Sequence, residues 1–130
     1  MANNVLKDKE GNILNTKIPR YEKRLFRVLW KNTSNKMTNG TEIILSSDNY
    51  DMLIWIFATS SSGSKNNVIS ACLKGNNCIL SSSTVTSNNS VRRSLNYVTD
   101  NKYIASSGYD SSNNVDENNA IPIQCIGYKF

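Results

Sequence analysis

Met52-Leu-Ile-Trp-Ile-Phe-Ala58 is a run of seven apolar residues without a charge, entered from Asp51 and left through Thr59-Ser-Ser-Ser-Gly63. Isoleucine, tryptophan and phenylalanine dominate it, and these side chains favour a pleated strand. It is far short of the ~20 residues that a membrane-spanning helix needs. Being apolar on both faces, it reads as a central strand of a packed sheet.

The neighbouring segments repeat this pattern on a smaller scale. Leu25 to Trp30 reads as a strand with Leu25, Arg27 and Leu29 on one face and Phe26, Val28 and Trp30 on the other. A polar loop from Lys31 to Gly40 leads into a strand over Thr41–Leu45. Ser46-Ser-Asp-Asn-Tyr50 carries helix-capping residues, so one helical turn is expected there. Val68–Cys72 and Asn77–Leu80 read as strands joined by a Lys74-Gly75-Asn76 turn. Val91, Arg93, Leu95 and Tyr97 alternate with Arg92, Ser94 and Asn96, and Lys102–Ala105 follows a Thr99-Asp100-Asn101 turn. That period of two predicts a hairpin over 91–106. Ser106 to Asn119 is a polar loop, and Ile121–Tyr128 is a closing strand whose Pro122 suits an edge or a strand entry. Val5-Leu6 and Ile13-Leu14 flank Asp8–Asn12, a short hairpin or hook, and Ile18 before Pro19 is extended.

No stretch holds a 3.6-residue period long enough for a helix. The expected fold is all-β: a single antiparallel β-sandwich, jelly-roll-like or Greek-key, of about eight strands. Residues 1–23 form a basic extended arm and residues 24–130 the sandwich.

Twenty asparagines and 18 serines fill the gaps between these runs, and histidine is absent. Codon bias in an AT-rich genome is the competing explanation of the asparagine excess. Residues 1–36 carry nine lysines and arginines against three acids, whereas the remaining 94 carry six against seven. Lys17, Arg20, Lys23, Arg24 and Arg27 therefore read as a docking strip for a partner. Nucleic acid is not the expected partner, because neither a stacking platform nor a reading helix accompanies the charge. The polar opening residues show no signal-peptide pattern, so synthesis in the cytosol without an export label is expected.

Without histidine the commonest general base is missing. The clusters Ser60–Ser64 and Ser81–Ser83 lack a nucleophile-elbow context and read as loops. Nothing in the spacing of Asp48, Asp51, Asp100, Asp110, Asp116 and Glu117 selects a carboxylate pair. Enzyme activity is not expected, nor any cofactor or bound metal. Cys72, Cys78 and Cys125 do not form a zinc-ligand set. Cys78 and Cys125 are expected to pack as small hydrophobes, with a Cys72–Cys78 disulfide as the alternative. Asp110–Glu117 offers oxygen ligands for calcium but lacks EF-hand spacing, and a solvated loop with Asx-turns is the expected reading.

Trp55 belongs to the core. Other aromatic residues stand beside polar loops, where a ring face with Asn, Asp or Arg can hold a sugar. The candidate saccharide set is Tyr109, Asp110, Tyr103, Arg92 and Trp30, with packing at strand ends as the alternative. Arg92-Arg93 reads equally as a salt-bridging pair between subunits.

Several segments then fall together: Asn12-Ile-Leu-Asn-Thr-Lys-Ile-Pro-Arg20, Leu29-Trp-Lys-Asn32, Thr41–Asp51 and Asn119-Ala-Ile-Pro-Ile-Gln-Cys-Ile-Gly-Tyr-Lys129. In order and type they resemble the C-terminal β-sandwich head domains of tail-fibre and baseplate receptor-binding proteins, from phages of low-GC Gram-positive bacteria. The resemblance implies a homotrimer that displays its loops toward a host-surface glycan, with no catalytic residues and no membrane insertion. It implies a place in the virion tail, with synthesis in the bacterial host cytoplasm and contacts to other tail proteins through the N-terminal arm. The chain departs from the usual arrangement in having no shaft or coiled-coil anchor. That departure favours the alternative of a structural or decorating virion protein with no receptor role. A bacterial carbohydrate-binding module is the third reading.

Overall fold

The run at Met52–Ala58 forms most of the third of the eight strands among the described residues, and it is central, as its two apolar faces require. The computed structural model describes residues 7–11, 26–60, 66–83 and 90–130. The strands are β1 (Phe26–Lys31), β2 (Glu42–Ile44), β3 (Met52–Ser60), β4 (Asn67–Leu73), β5 (Cys78–Ser83), β6 (Ser90–Thr99), β7 (Lys102–Tyr109) and β8 (Asn119–Tyr128). They make two four-stranded antiparallel sheets, ordered β1-β8-β3-β4 and β2-β7-β6-β5, with no helix among the described residues. The chain thus builds the expected all-β sandwich. Its last strand inserts between the first and the third.

The core lies between the sheets. Leu53, Trp55 and Phe57 of β3 are fully buried, as are Leu80, Leu95, Tyr103, Ala105 and Cys125 from four other strands. Four rings run through it from sheet to sheet: Trp30 to Trp55 at 6.1 Å, Trp55 to Tyr103 at 5.6 Å, and Tyr103 to Tyr97 at 5.8 Å between centroids. Tilted and edge-on contacts of this kind add about 0.5–1.5 kcal/mol each beyond the area they bury. Cys78 and Cys125 pack as small hydrophobes, and all three cysteines are free thiols. Burial raises the Cys125 pKa, so this thiol is neutral at ordinary pH.

Several local expectations need correction. The segments flanking Lys74-Gly75-Asn76 do not pair with each other: β4 joins one sheet and β5 the other, so this turn crosses the sandwich. Both segments are too short and too apolar on their inner faces to reveal which sheet takes them. Pro122 lies in β8, which is central, but β1 pairs with β8 only as far as Gln124, so at Pro122 the strand has β3 alone beside it and is locally an edge. A bulge between Ile56 and Phe57 shifts the β3–β8 register there, accommodating the missing N–H. Residues 46–50 contain no helical turn. A second bulge, between Val28 and Trp30, breaks the simple alternation of β1. Leu29 and Trp30 therefore both pack on the core, while Phe26, Arg27 and Val28 are exposed.

Lys17, Arg20, Lys23 and Arg24 lie outside the described residues, as does the N-terminal arm apart from residues 7–11. There Gly11 N–H donates to the Asp8 carbonyl and Glu10 N–H to Asp8 Oδ1, closing a small turn.

The two outer faces differ in chemistry. On the β2-β7-β6-β5 sheet, Glu42 pairs with Lys102 in a salt bridge, and Asn96, Ser94 and Arg92 share that surface. On the other sheet, one cross-strand row reads Phe26, Tyr128, Met52, Leu73 and the next Val28, Ile126, Ile54, Ala71. Neither row holds a charge.

Candidate functional site

Every odd-numbered strand runs toward one end of the sandwich, and every even-numbered strand returns from it. The links after β1 and β7, residues 32–41 and 110–118, therefore belong to that end; both are described in full and both are rich in asparagine and serine. The opposite end has the links at 45–51, 74–77 and 100–101, together with the first residue of β1 and the last of β8.

Short polar side chains shape the two described loops by bonding to nearby backbone, as asparagine, aspartate and serine do in turns. In the first, Ser34 N–H donates to Asn32 Oδ1 at 2.9 Å, and Asn32 Nδ2 donates to the carbonyls of Pro122 at 2.9 Å and Lys36 at 3.1 Å. In the second, Asp110 Oδ1 accepts from the N–H groups of Ser112 and Asn114, and Oδ2 accepts from the Asn114 side chain. Those hydrogen bonds, led by the Asn114 backbone, hold the Asp110 carboxyl below its ordinary pKa. Asn113 takes a positive φ of 62° at the loop's tip, a conformation asparagine tolerates.

Arg93 ties these loops to the sheets. It is 1% exposed. Its Nε donates to the Ala120 carbonyl at 3.0 Å and its Nη1 to that of Ser106 at 2.5 Å. Nη2 reaches the carbonyls of Met37, Glu117 and Asn119 at 3.0–3.1 Å. One guanidinium thus gathers five main-chain carbonyls from both loops and from β7 and β8. Glu117 stands 3.7 Å from Nη1 and also receives Asn39 N–H at 2.6 Å and Gly108 N–H at 3.0 Å. Burial pulls the Arg93 pKa down and Glu117 opposes that shift, but arginine's ordinary pKa is so high that the group stays charged. Arg93 was expected at a subunit interface, and instead it is internal. In β6 it shares the inward face with Leu95, on the same side of the alternation as Val91 and Tyr97.

Arg92, the next residue, points the other way. It pairs with Tyr109 across β6 and β7, its guanidinium lying 5.3 Å from the Tyr109 ring centre. Its Nη2 donates to Asn113 Oδ1 at 2.6 Å. The fold thus brings Arg92, Tyr109 and Asp110 of the expected set together, and adds Asn113. Tyr103 does not join them: it is fully buried, its ring between Trp55 and Tyr97, because its place in β7 faces inward. Proximity to the 99–101 turn made it look exposed. Trp30 is half-buried against the core in the opposite sheet. Arg27 is exposed on β1.

A cleft of about 270 Å³ opens at the same end, lined by Asn32, Thr33, Ser34 and Asn35 on one side and by Ala58, Ser60, Ile121 and Ile123 on the other. Its apolar floor and hydroxyl- and amide-rich rim match the two surfaces of a sugar ring. Its size falls just under the ~300–1,000 Å³ usual for small-molecule sites, which leaves room for one ring. Among the described residues, no group of three or more acids, cysteines or histidines is placed to hold a metal ion. The Asp110–Glu117 carboxylates are engaged in the loop's own hydrogen bonds.

Comparison with protein-family models, curated proteins and solved structures finds no match for this chain.

Proposed function

We propose that this chain is a non-enzymatic component of a phage tail that binds a host cell-surface saccharide at the loop-bearing end of its sandwich. The observation that carries the reading is the gathering of the Asn/Ser-rich links at one end. That end carries an exposed Arg92–Tyr109–Asn113 cluster and a sugar-sized cleft. Guanidinium, amide and hydroxyl groups bind sugar hydroxyls, and an aromatic ring packs on sugar C–H groups. The anchoring by Arg93 holds this surface rigid before a ligand arrives, which lowers the ordering cost of binding.

A second reading, a structural or decorating particle protein without a receptor role, draws on one observation. The Asp110, Glu117 and Asn32 side chains already spend hydrogen bonds on their own loops. Adsorption to host cells separates the two. Fluorescently labelled protein should bind intact low-GC Gram-positive cells and lose that binding once periodate has oxidised their glycans. Absence of binding, or binding indifferent to periodate, would overturn the saccharide reading.

A further inference from the structure

The cleft beside residues 32–35 joins two unlike surfaces. β1 ends at Lys31, opposite Gln124, so beyond that point a loop rather than a strand flanks β8. The floor is aliphatic. Ala58 of β3 and its cross-strand partner Ile121 are at most 6% exposed, and Ile123, which the bulge leaves without a partner on β3, completes it. The wall is polar. Asn32 is spent on the loop itself, its side chain bonding the Lys36 and Pro122 carbonyls and the Ser34 N–H. Thr33 and Asn35 are exposed, and their side chains make no hydrogen bond among the described residues. No charged side chain and no aromatic ring is among the described residues that line the cleft.

We infer that this cleft receives the acetamido group of an N-acetylated hexosamine, with its methyl on the aliphatic floor and its amide against Asn35. That assignment rests on the saccharide reading and narrows it to one class of sugar. Three features select it. A sugar ring held by its C–H face normally lies on an aromatic ring. Here the apolar surface is a small aliphatic floor, which a compact methyl covers and a ring face studded with hydroxyls does not. Hydroxyls pressed onto that floor would lose their water without gaining a partner. The second feature is the free amide of Asn35. A primary amide complements a secondary amide in both directions, its NH₂ donating to the ligand carbonyl and its carbonyl accepting the ligand N–H. The third is charge. A carboxylate or phosphate entering the cleft would meet no cation there, and an ammonium no acid, so uronic acids and free amino sugars are disfavoured. A volume of about 270 Å³ holds one such ring with its substituent. The Arg92–Tyr109 cluster lies on the other sheet and takes no part in this contact.

NMR titration of the isotope-labelled full chain with N-acetylglucosamine and N-acetylgalactosamine, each to roughly 50 mM, tests this. Single sugars of this size should bind with dissociation constants in the millimolar range. Shifts should concentrate at Thr33–Asn35 and at Ile121 and Ile123, and glucose and glucosamine should bind at least ~10-fold more weakly. Asn35→Ala and the isosteric Asn35→Asp, both on an exposed loop residue, should keep the wild-type spectrum and weaken the N-acetylated sugars ~10-fold. No shift with either N-acetylated sugar, equal binding of glucose, shifts confined to Arg92, Tyr109 and Asn113, or no effect of either Asn35 variant overturns the inference. The saccharide reading survives each of those results if a glycan array shows binding to sugars without an acetamido group. It falls together with the inference only if no glycan binds.

Discussion

Replacing Arg93 by methionine should be among the most damaging single changes available in this protein. Methionine keeps much of the side-chain length and fills the space, so the substitution isolates the hydrogen bonds. Five main-chain carbonyls lose a charged donor at a position 1% exposed. A buried acceptor left without a partner costs about 1–3 kcal/mol. If water reaches two of the five, the remaining three at about 1.5 kcal/mol each give a loss of about 4–5 kcal/mol. That is a large share of the ~5–15 kcal/mol that holds a domain together. For a chain of this size it corresponds to a fall of roughly 15 °C in melting temperature. Urea denaturation of wild type, Arg93→Met and Arg93→Lys would measure it. Lysine should recover about half the loss, because one ammonium cannot span carbonyls that approach the guanidinium from three nitrogens. A loss below about 1 kcal/mol for Arg93→Met, the size of an ordinary surface change, would show that the five carbonyls do not depend on this guanidinium.

Three further expectations follow from the same end of the molecule. Glu117→Ala removes the acceptor shared by Asn39 and Gly108 and should cost about 1.5–3 kcal/mol by thermal unfolding. Gly108→Ala would drive a Cβ against the Asp116 carbonyl, the Asn119 carbonyl at 2.7 Å and Arg93 Nη2 at 2.9 Å, so a loss of at least about 1–3 kcal/mol is expected in denaturant titration. The 110–114 loop should loosen in acid. Its Asp110 carboxyl has a folded pKa below the ordinary 3.8. Its stabilising contribution is therefore complete above that value and disappears as pH falls through the lower folded one. Amide exchange at Ser112 and Asn114 would report the loosening, and Asp110→Asn should abolish its pH dependence.

Much of the fold was legible because its signals are local. The seven-residue apolar run, the period-two alternation over 91–97 and the Thr99–Asn101 turn each depend on adjacent residues, and β3 and the β6–β7 hairpin match them. Pairing between distant segments was not legible. Pro122 argued for an edge, and β8 is central only over residues 124–128, where β1 joins it; at Pro122 it pairs with β3 alone, next to a bulge. The segments around Gly75 read as strands joined by a turn, and a tight turn has the same residues whether it pairs two strands or carries the chain across a sandwich. In the candidate site, Arg92, Tyr109 and Asp110 were found from their types and their neighbouring loop. Tyr103 was misplaced because one-residue parity, rather than distance from a turn, decides which way a strand residue faces. Arg93 was assigned to a subunit contact for the opposite reason. Parity placed it inward, but an arginine is seldom buried unless carbonyls are gathered to receive it.

The saccharide-binding claim meets its most direct test on a glycan array probed with the wild type and with a Tyr109→Ala/Arg92→Ala variant of equal thermal stability. The wild type should bind a defined set of glycans and the variant should bind them at least about tenfold more weakly, a loss near 1.4 kcal/mol. A wild type that binds no glycan, or a variant that binds as tightly as the wild type, would contradict it.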